Sequence, residues 1–377
     1  MQVRVERELL VKAVHRTLGV VDRRGMMPIL SHVLMEAQDG GITISATDLE
    51  ISYRGFCPSE VQEPGALALP AHYFHNLVKG LPGIMVDLNG NGNGKLEVQA
   101  DESHYRFVGL PPDQFPPVPE VADESLMEVE APMLKEMIDK TIFSTSGDDY
   151  QYALQSIYLE RVEKEETPYL RMVSTDGHRL TLIDRPLPQD KDITFEKGVL
   201  IPRKGALEIS RTMDGEAAVG LSLTDKELAL KANGKFLAVR LLDRKFPEYQ
   251  RIIPEGFEYG FTLERKAFME ILRRISLLSS DRFKGVVLEI GPESLEATFA
   301  NPDVGEGRES LPLALAWGEA GQLPLKVGFN AQYLLEPLNA MKSEQVILEI
   351  NEPGRPCRLR GEGDLDYFSM VMPMELS

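Results

Sequence analysis

The residues with the most chemical potential stand at Asp176-Gly177-His178, where a carboxylate and an imidazole lie two positions apart. An acid beside a histidine is raw material for general base catalysis. Such an enzyme, a hydrolase or transferase, also needs a nucleophile, and no Ser or Cys nucleophile motif accompanies this pair. The two cysteines, Cys57 and Cys357, are 300 positions apart, with no CxxC pair and no His at zinc spacing. They read as reduced, half-buried thiols of a cytoplasmic protein, and no metal or cofactor is expected. His178 taken alone is more often a satisfied polar residue than a base or ligand. Two other residue sets offer binding chemistry instead. Lysines and arginines on helical segments can hold phosphates, and the terminal MVMPMEL offers flexible thioethers that adapt to varied apolar partners. The plainer reading of that tail is a last edge strand docked on the core.

The elements that must position these residues occur three times. The endings FPPVP, FPEYQRIIP and FSMVMP, starting at residues 115, 246 and 368, each close a run of period-two alternation. Those runs read as hairpins, one of them turning at Asn233-Gly234. Each third opens with a segment whose apolar residues recur every three and four positions, and a second such segment lies in its middle. The six predicted helices cover 7–18, 71–80, 132–144, 203–213, 264–278 and 330–342. Pro337 should remove a backbone hydrogen bond from the last one or kink it. The fold class is α+β: three domains, 1–121, 126–254 and 257–377, each with two helices packed on β-sheets. TDLE, TDGH and NPDV occupy the same strand junction in the three copies. The first copy turns there without glycine, so the turn does not require one.

The chain has 377 residues, with 41 basic and 59 acidic side chains and a net charge of −18. That sum argues against a phosphate-rich partner, but its distribution argues otherwise. The six helical segments carry 14 Lys and Arg against 7 Asp and Glu, leaving 27 basic and 52 acidic residues elsewhere. A solvated helix face explains the bias for any single helix. If all the helices share one surface, that surface is basic. At about 9 Å between neighbours, six helices close a circle about 17 Å across, which side chains fill. Twelve, from two chains, leave an opening of about 24 Å, wide enough for a nucleic-acid duplex. The opening residues contain no signal-peptide core, and no apolar run is long enough to span a bilayer, so no membrane partner is expected.

Several motifs then occur in one order: VERELLVKAV, MPILSHVLME, TDLE, VSTDGHRL, IPRKGALE, KFPEYQRIIP, DRFKGVVL and the terminal MVMPMEL. In these the chain resembles, along its whole length, the bacterial DNA sliding clamp family, the β subunit of DNA polymerase III holoenzyme. The resemblance implies a head-to-tail homodimeric ring that encircles duplex DNA without sequence preference and has no catalytic activity. Its other partners would be the clamp-loader complex, the DNA polymerase III catalytic subunit, and further clamp-binding polymerases and repair proteins. A scaffold binding only proteins remains the alternative.

Candidate phosphate contacts are the basic positions on or beside the helices: Lys12, Arg24, Lys79, Lys135, Lys140, Arg203, Lys204, Arg211, Arg273 and Arg274. The resemblance places a hydrophobic pocket for short partner peptides, carrying a Gln and a pair of large apolar side chains, between the second and third domains. Its wall would come from Leu154, Thr175, Gly177, His178, Arg179 and Leu180, with Pro247, Arg251, Phe283, Asn330 and Tyr333. Met370, Val371, Met372, Pro373, Met374 and Leu376 would complete it from the tail. Arg179, Arg251 and Tyr333 would orient the peptide. The dimer joint would use Tyr105 and Phe107 of one chain with Leu277 and Leu278 of the other, residues for which core packing is the alternative.

Overall fold

The computed structural model of the chain describes residues 1–22, 25, 27–90, 94–147, 153–187, 197–278 and 285–374. Among the described residues, six α-helices form where the apolar spacing puts them: α1 Arg7–Thr17, α2 Ala71–Gly80, α3 Ala131–Asp139, α4 Arg203–Thr212, α5 Arg265–Ser276 and α6 Ala331–Ala340. Side chains cap α5 and α6. Glu264 accepts from the amides of Lys266 and Ala267 at the start of α5, and Asn330 accepts from Gln332 at the start of α6. Helix α3 ends before its expected limit of 144. Thr141 sets its hydroxyl on the Met137 carbonyl (2.8 Å) and its amide on the Ile138 carbonyl (3.1 Å), tightening the chain into a 3-10 turn at Ile142–Ser144. Helix α6 continues past Pro337, which is buried within it.

The chain forms two compact units, one of Met1–Leu134 with Leu207–Leu241 and the other of Lys135–Ala206 with Leu242–Ser377. In the first, a five-stranded antiparallel sheet ends in the hairpin Lys95–Ala100 and Ser103–Val108. Strand Lys95–Ala100 alternates exposed and buried residues, as its period-two pattern requires. Among the described residues, Ser103–Val108 pairs on one side only, and it is exposed or half-exposed throughout. An eight-stranded sheet in the same unit contains the tight hairpin at Asn233-Gly234, where φ is 42° and 73°. Positive φ at both turn residues matches the twist of the flanking strands. Helices α1 and α2 bury Leu10, Val14, Phe74 and Val78.

The second unit is built on a twelve-stranded antiparallel sheet, with α5 packed beside α6. Helix α5 buries Phe268, Ile271, Leu272 and Ile275. Full burial of such side chains contributes roughly 1.5–3 kcal/mol each.

These sheets run across the sequence repeats. Lys235–Arg240 from the second repeat pairs with Ile51–Pro58 from the first, with Leu237 opposite Tyr53. Likewise Arg179–Pro186 pairs with Tyr367–Val371, with Leu180 opposite Met370. Strand Tyr367–Val371 also pairs with Cys357–Gly361, so it is an interior strand. The docked-edge reading of the tail is corrected accordingly.

Candidate partner-binding site

The turn at Thr175–Arg179 organises one end of the second unit. Thr175 Oγ1 donates to the Arg179 carbonyl (2.6 Å) and accepts from the Gly177 amide (3.1 Å). Asp176 Oδ1 accepts from the His178 and Arg179 amides at 2.9 and 3.1 Å. Asp176 is therefore occupied by the backbone, which is the ordinary work of an Asx turn. The same turn recurs at Thr47–Ile51, where Asp48 Oδ1 accepts from the amides of Glu50 and Ile51. Gly177 has φ 90°, and its counterpart Leu49 has φ 75°. As expected, the turn forms without glycine, but it demands left-handed backbone, which Leu49 adopts as a branched side chain rarely does.

Behind the turn, Leu180 and Met370 lie in one buried cluster with Val173, Leu182, Leu200, Phe246 and Tyr249, and Leu154 packs against it. Val371 is also fully buried, while Met372 and Met374 are exposed beyond it. The tail is pinned by two backbone bonds, Met372 N to the His178 carbonyl (2.9 Å) and Met374 N to the Gly328 carbonyl (2.8 Å). The apolar floor and the exposed methionines are thus brought together at the turn, with Pro373 between the two pins.

The polar wall centres on Arg179, whose exposure is 8%. Its Nε donates to Asp176 (3.1 Å), Nη1 to Glu336 and Nη2 to the Phe143 carbonyl. The guanidinium lies 4.5 Å from the Tyr333 ring centroid, and the His178 ring stacks on Tyr333 at 6.3 Å. Burial raises the Tyr333 hydroxyl pKa, with Asp176 adding and Arg179 opposing. Arg179 was expected to orient a peptide, but three of its nitrogens are engaged within the chain, so it braces the wall. Asn330 is spent as the α6 cap, one turn before Tyr333.

Pro247 is exposed at the edge of a cavity of about 900 Å³, lined also by Tyr158, Phe246 and Tyr249. Arg251 lines a separate cavity with Ile252 and Phe257, and pairs with Glu248 at 2.6 Å. Phe283 and Leu376 lie outside the described residues. Asp176, Phe143 and Glu336 were missed as members of this group. Glu336 was detectable, because it follows Tyr333 by three residues on one helix and must share its face.

The cationic positions divide by environment. Lys12, Lys79, Arg203, Lys204, Arg211, Arg273 and Arg274 are exposed. Several are already partnered: Arg274 makes a fork to Glu309 (2.6 and 2.9 Å), Arg211 meets Glu208 (2.5 Å), and Arg203 donates to Thr145 (2.6 Å). Arg273 donates to Asn339 and Lys135 to Asp139. Lys140 is a correction. It is 5% exposed, ion-paired with Glu136 (3.0 Å) and Asp364 (3.2 Å), and its ammonium lies 4.5 Å from the Tyr367 ring centroid. A lysine so enclosed holds its unit together and cannot reach a phosphate. Arg24 lies outside the described residues.

Of the expected joint residues, Leu277 is 82% exposed and Tyr105 48%. Phe107 is half-buried with its ring edge-on to Phe74 (5.6 Å), and Leu278 is half-buried beside Gly307. Among the described residues, no group of three or more His, Cys, Asp or Glu could hold a metal ion.

Repeated helices on antiparallel sheets define an α+β repeat protein, in which an apolar floor lies beside a braced polar wall. The chain belongs to the DNA polymerase III beta subunit family: it matches the N-terminal domain over residues 1–119, the central domain over 128–248 and the C-terminal domain over 250–375. It is 32% identical over 379 residues to a beta sliding clamp of Pseudomonas putida, covering 100% of both chains. To the beta sliding clamp of Escherichia coli K12 it is 30% identical over 385 residues, again covering 100% of both. A crystal structure of a sliding clamp from Bartonella birtlesii bound to griselimycin is similar with a TM-score of 0.92, at 28% identity and covering 100% of both chains.

Proposed function

We propose that this chain is a processivity clamp for DNA polymerase III, an accessory subunit with no catalytic activity of its own, which encircles duplex DNA and tethers the polymerase. The carrying observation is the match to all three family domains in order along nearly the whole chain. The domain limits 1–121, 126–254 and 257–377 belong to this reading. So does a head-to-tail dimer closed between Tyr105 and Phe107 of one chain and Leu277 and Leu278 of its partner. Two observations favour that joint: the open outer edge of strand Ser103–Val108 and the exposed Leu277.

DNA is held loosely through phosphates by Lys12, Lys79, Arg203, Lys204, Arg211, Arg273 and Arg274, with no base readout, since a sliding protein must bind all sequences about equally. The pocket of Leu154, Leu180, Met370, Met372 and Met374, walled by His178, Arg179 and Tyr333, receives short peptides from the clamp loader, the polymerase and other clamp-binding polymerases and repair proteins. The reading places the chain in the bacterial cytoplasm, without a membrane partner. No described helix is long and apolar enough to cross a membrane.

The test is primer extension on a primed circular template with DNA polymerase III and its loader. Adding this chain should lengthen the products made in one binding event; product length unchanged by the chain would overturn the reading.

A further inference from the structure

The residue that fixes Arg179 is given no part in the reading above. Glu336 lies on α6 three residues after Tyr333, and so on the same face. One of its carboxylate oxygens takes Arg179 Nη1, and the other accepts from Gln332 Nε2 at 3.1 Å. On the opposite side Asp176 takes Arg179 Nε at 3.1 Å. One guanidinium is thus shared by two carboxylates, and the group carries a net charge of −1 beside the His178 and Tyr333 rings. Arg179 is the most enclosed of the three, with its side chain 7% exposed, against 13% for Asp176 and 28% for Glu336. The excess charge therefore sits on the more open side of the wall.

We propose that Glu336 is a specificity-determining residue of the peptide pocket: with Asp176 it outweighs Arg179, so the polar wall accepts a neutral amide side chain and rejects a carboxylate. The inference rests on the pocket reading and extends it to the chemistry of the partner. Without Glu336, Arg179 and Asp176 balance, and a carboxylate on the peptide meets no net repulsion. With it, an acidic side chain meets a like charge in a partly desolvated site, where such pairs are unfavourable.

The probes are two labelled peptides, each with two large apolar residues, that differ only in Gln or Glu at the polar position. Affinities are read by fluorescence anisotropy for the wild-type chain, Glu336→Gln and Glu336→Asp. The wild type should prefer the Gln peptide by about tenfold. Glu336→Gln should shrink that preference to about twofold, and Glu336→Asp, which keeps the charge, should retain it. A preference unchanged in Glu336→Gln would overturn the proposal, because a residue that only supports the fold would weaken both peptides alike. The wild type supplies an independent readout should that variant not fold. Raising the ionic strength from about 0.05 M to about 0.5 M should narrow the preference, and a salt-independent preference would also overturn the proposal. Failure of the Gln peptide to bind the wild-type chain at all would overturn the pocket reading itself.

Discussion

Leu49 and Gly177 hold corresponding positions in two copies of one turn, with φ of 75° and 90°. Each turn is closed by a threonine hydroxyl and an aspartate carboxylate acting on the backbone. Only the glycine adopts this backbone without steric cost. Gly177→Ala is therefore expected to destabilise the chain by about 1–2 kcal/mol through backbone strain alone, since the space around a Cβ there is open. Leu49→Gly should change stability by less than about 1 kcal/mol, because relieved strain offsets added backbone entropy. Urea unfolding of the two variants checks both values.

Lys140 is expected to matter for stability and not for DNA. Lys140→Ala removes one of the two cations that Glu136 and Asp364 share, Arg185 being the other, and should cost about 2 kcal/mol. Folded Lys140→Ala should keep the wild-type salt dependence of DNA binding, whereas Lys12→Ala with Lys79→Ala should reduce its slope. A slope reduced by Lys140→Ala would return that residue to the DNA surface.

The same cluster predicts an acid limit. Burial opposes ionisation of Glu136, but Arg185 and Lys140 outweigh it and hold its carboxyl down at about 2. Its ordinary value is 4.5, so the stability it contributes is fully present above that pH and is lost as pH falls toward 2. Glu136→Gln should lower stability at neutral pH and flatten its decline between these two values. Chemical denaturation across that range measures the difference, and parallel curves for variant and wild type would contradict the assignment.

The tail should divide at Val371. Ending the chain after Met372 removes Met374 and its bond to Gly328 but leaves strand Tyr367–Val371 paired on both sides. That variant should fold and lose most of its peptide affinity. Ending after Ser369 removes the buried Met370 and Val371 and should prevent folding of the second unit. Thermal melts with peptide titrations separate the two effects.

Leu277 gives a clean test of the dimer joint. Its side chain contributes little to its own unit, so Leu277→Asp should leave the melting temperature nearly unchanged while burying a charge in the joint and yielding monomers. Sedimentation at low micromolar concentration reads the mass; an intact dimer would move the joint elsewhere.

Much of this fold is written in local patterns. Apolar spacing located all six helices, and Asn233-Gly234 located its hairpin, because each depends on neighbours in sequence. The pairing of Leu237 with Tyr53 and of Leu180 with Met370 was not legible, since alternation says which residues alternate and not which strand lies beside them. For the same reason the plainer reading of the Met-rich tail made it an edge, when its strand is interior. At the site, the apolar floor followed from family motifs, but the fate of the charges did not. Lys140 reads in sequence as a phosphate contact and Arg179 as a residue that orients a peptide, and only the fold brings Asp364 to one and Glu336 to the other.

The central claim is that the chain holds DNA by enclosing it, and a topological measurement tests that most directly. Labelled protein is loaded on nicked circular DNA with its clamp loader and ATP, freed of unbound protein, and followed before and after one cut linearises the circle. Retention on the circle with rapid loss from the linear form is the predicted result. Equal retention on both forms, or loss from both at one rate set by salt, would contradict it.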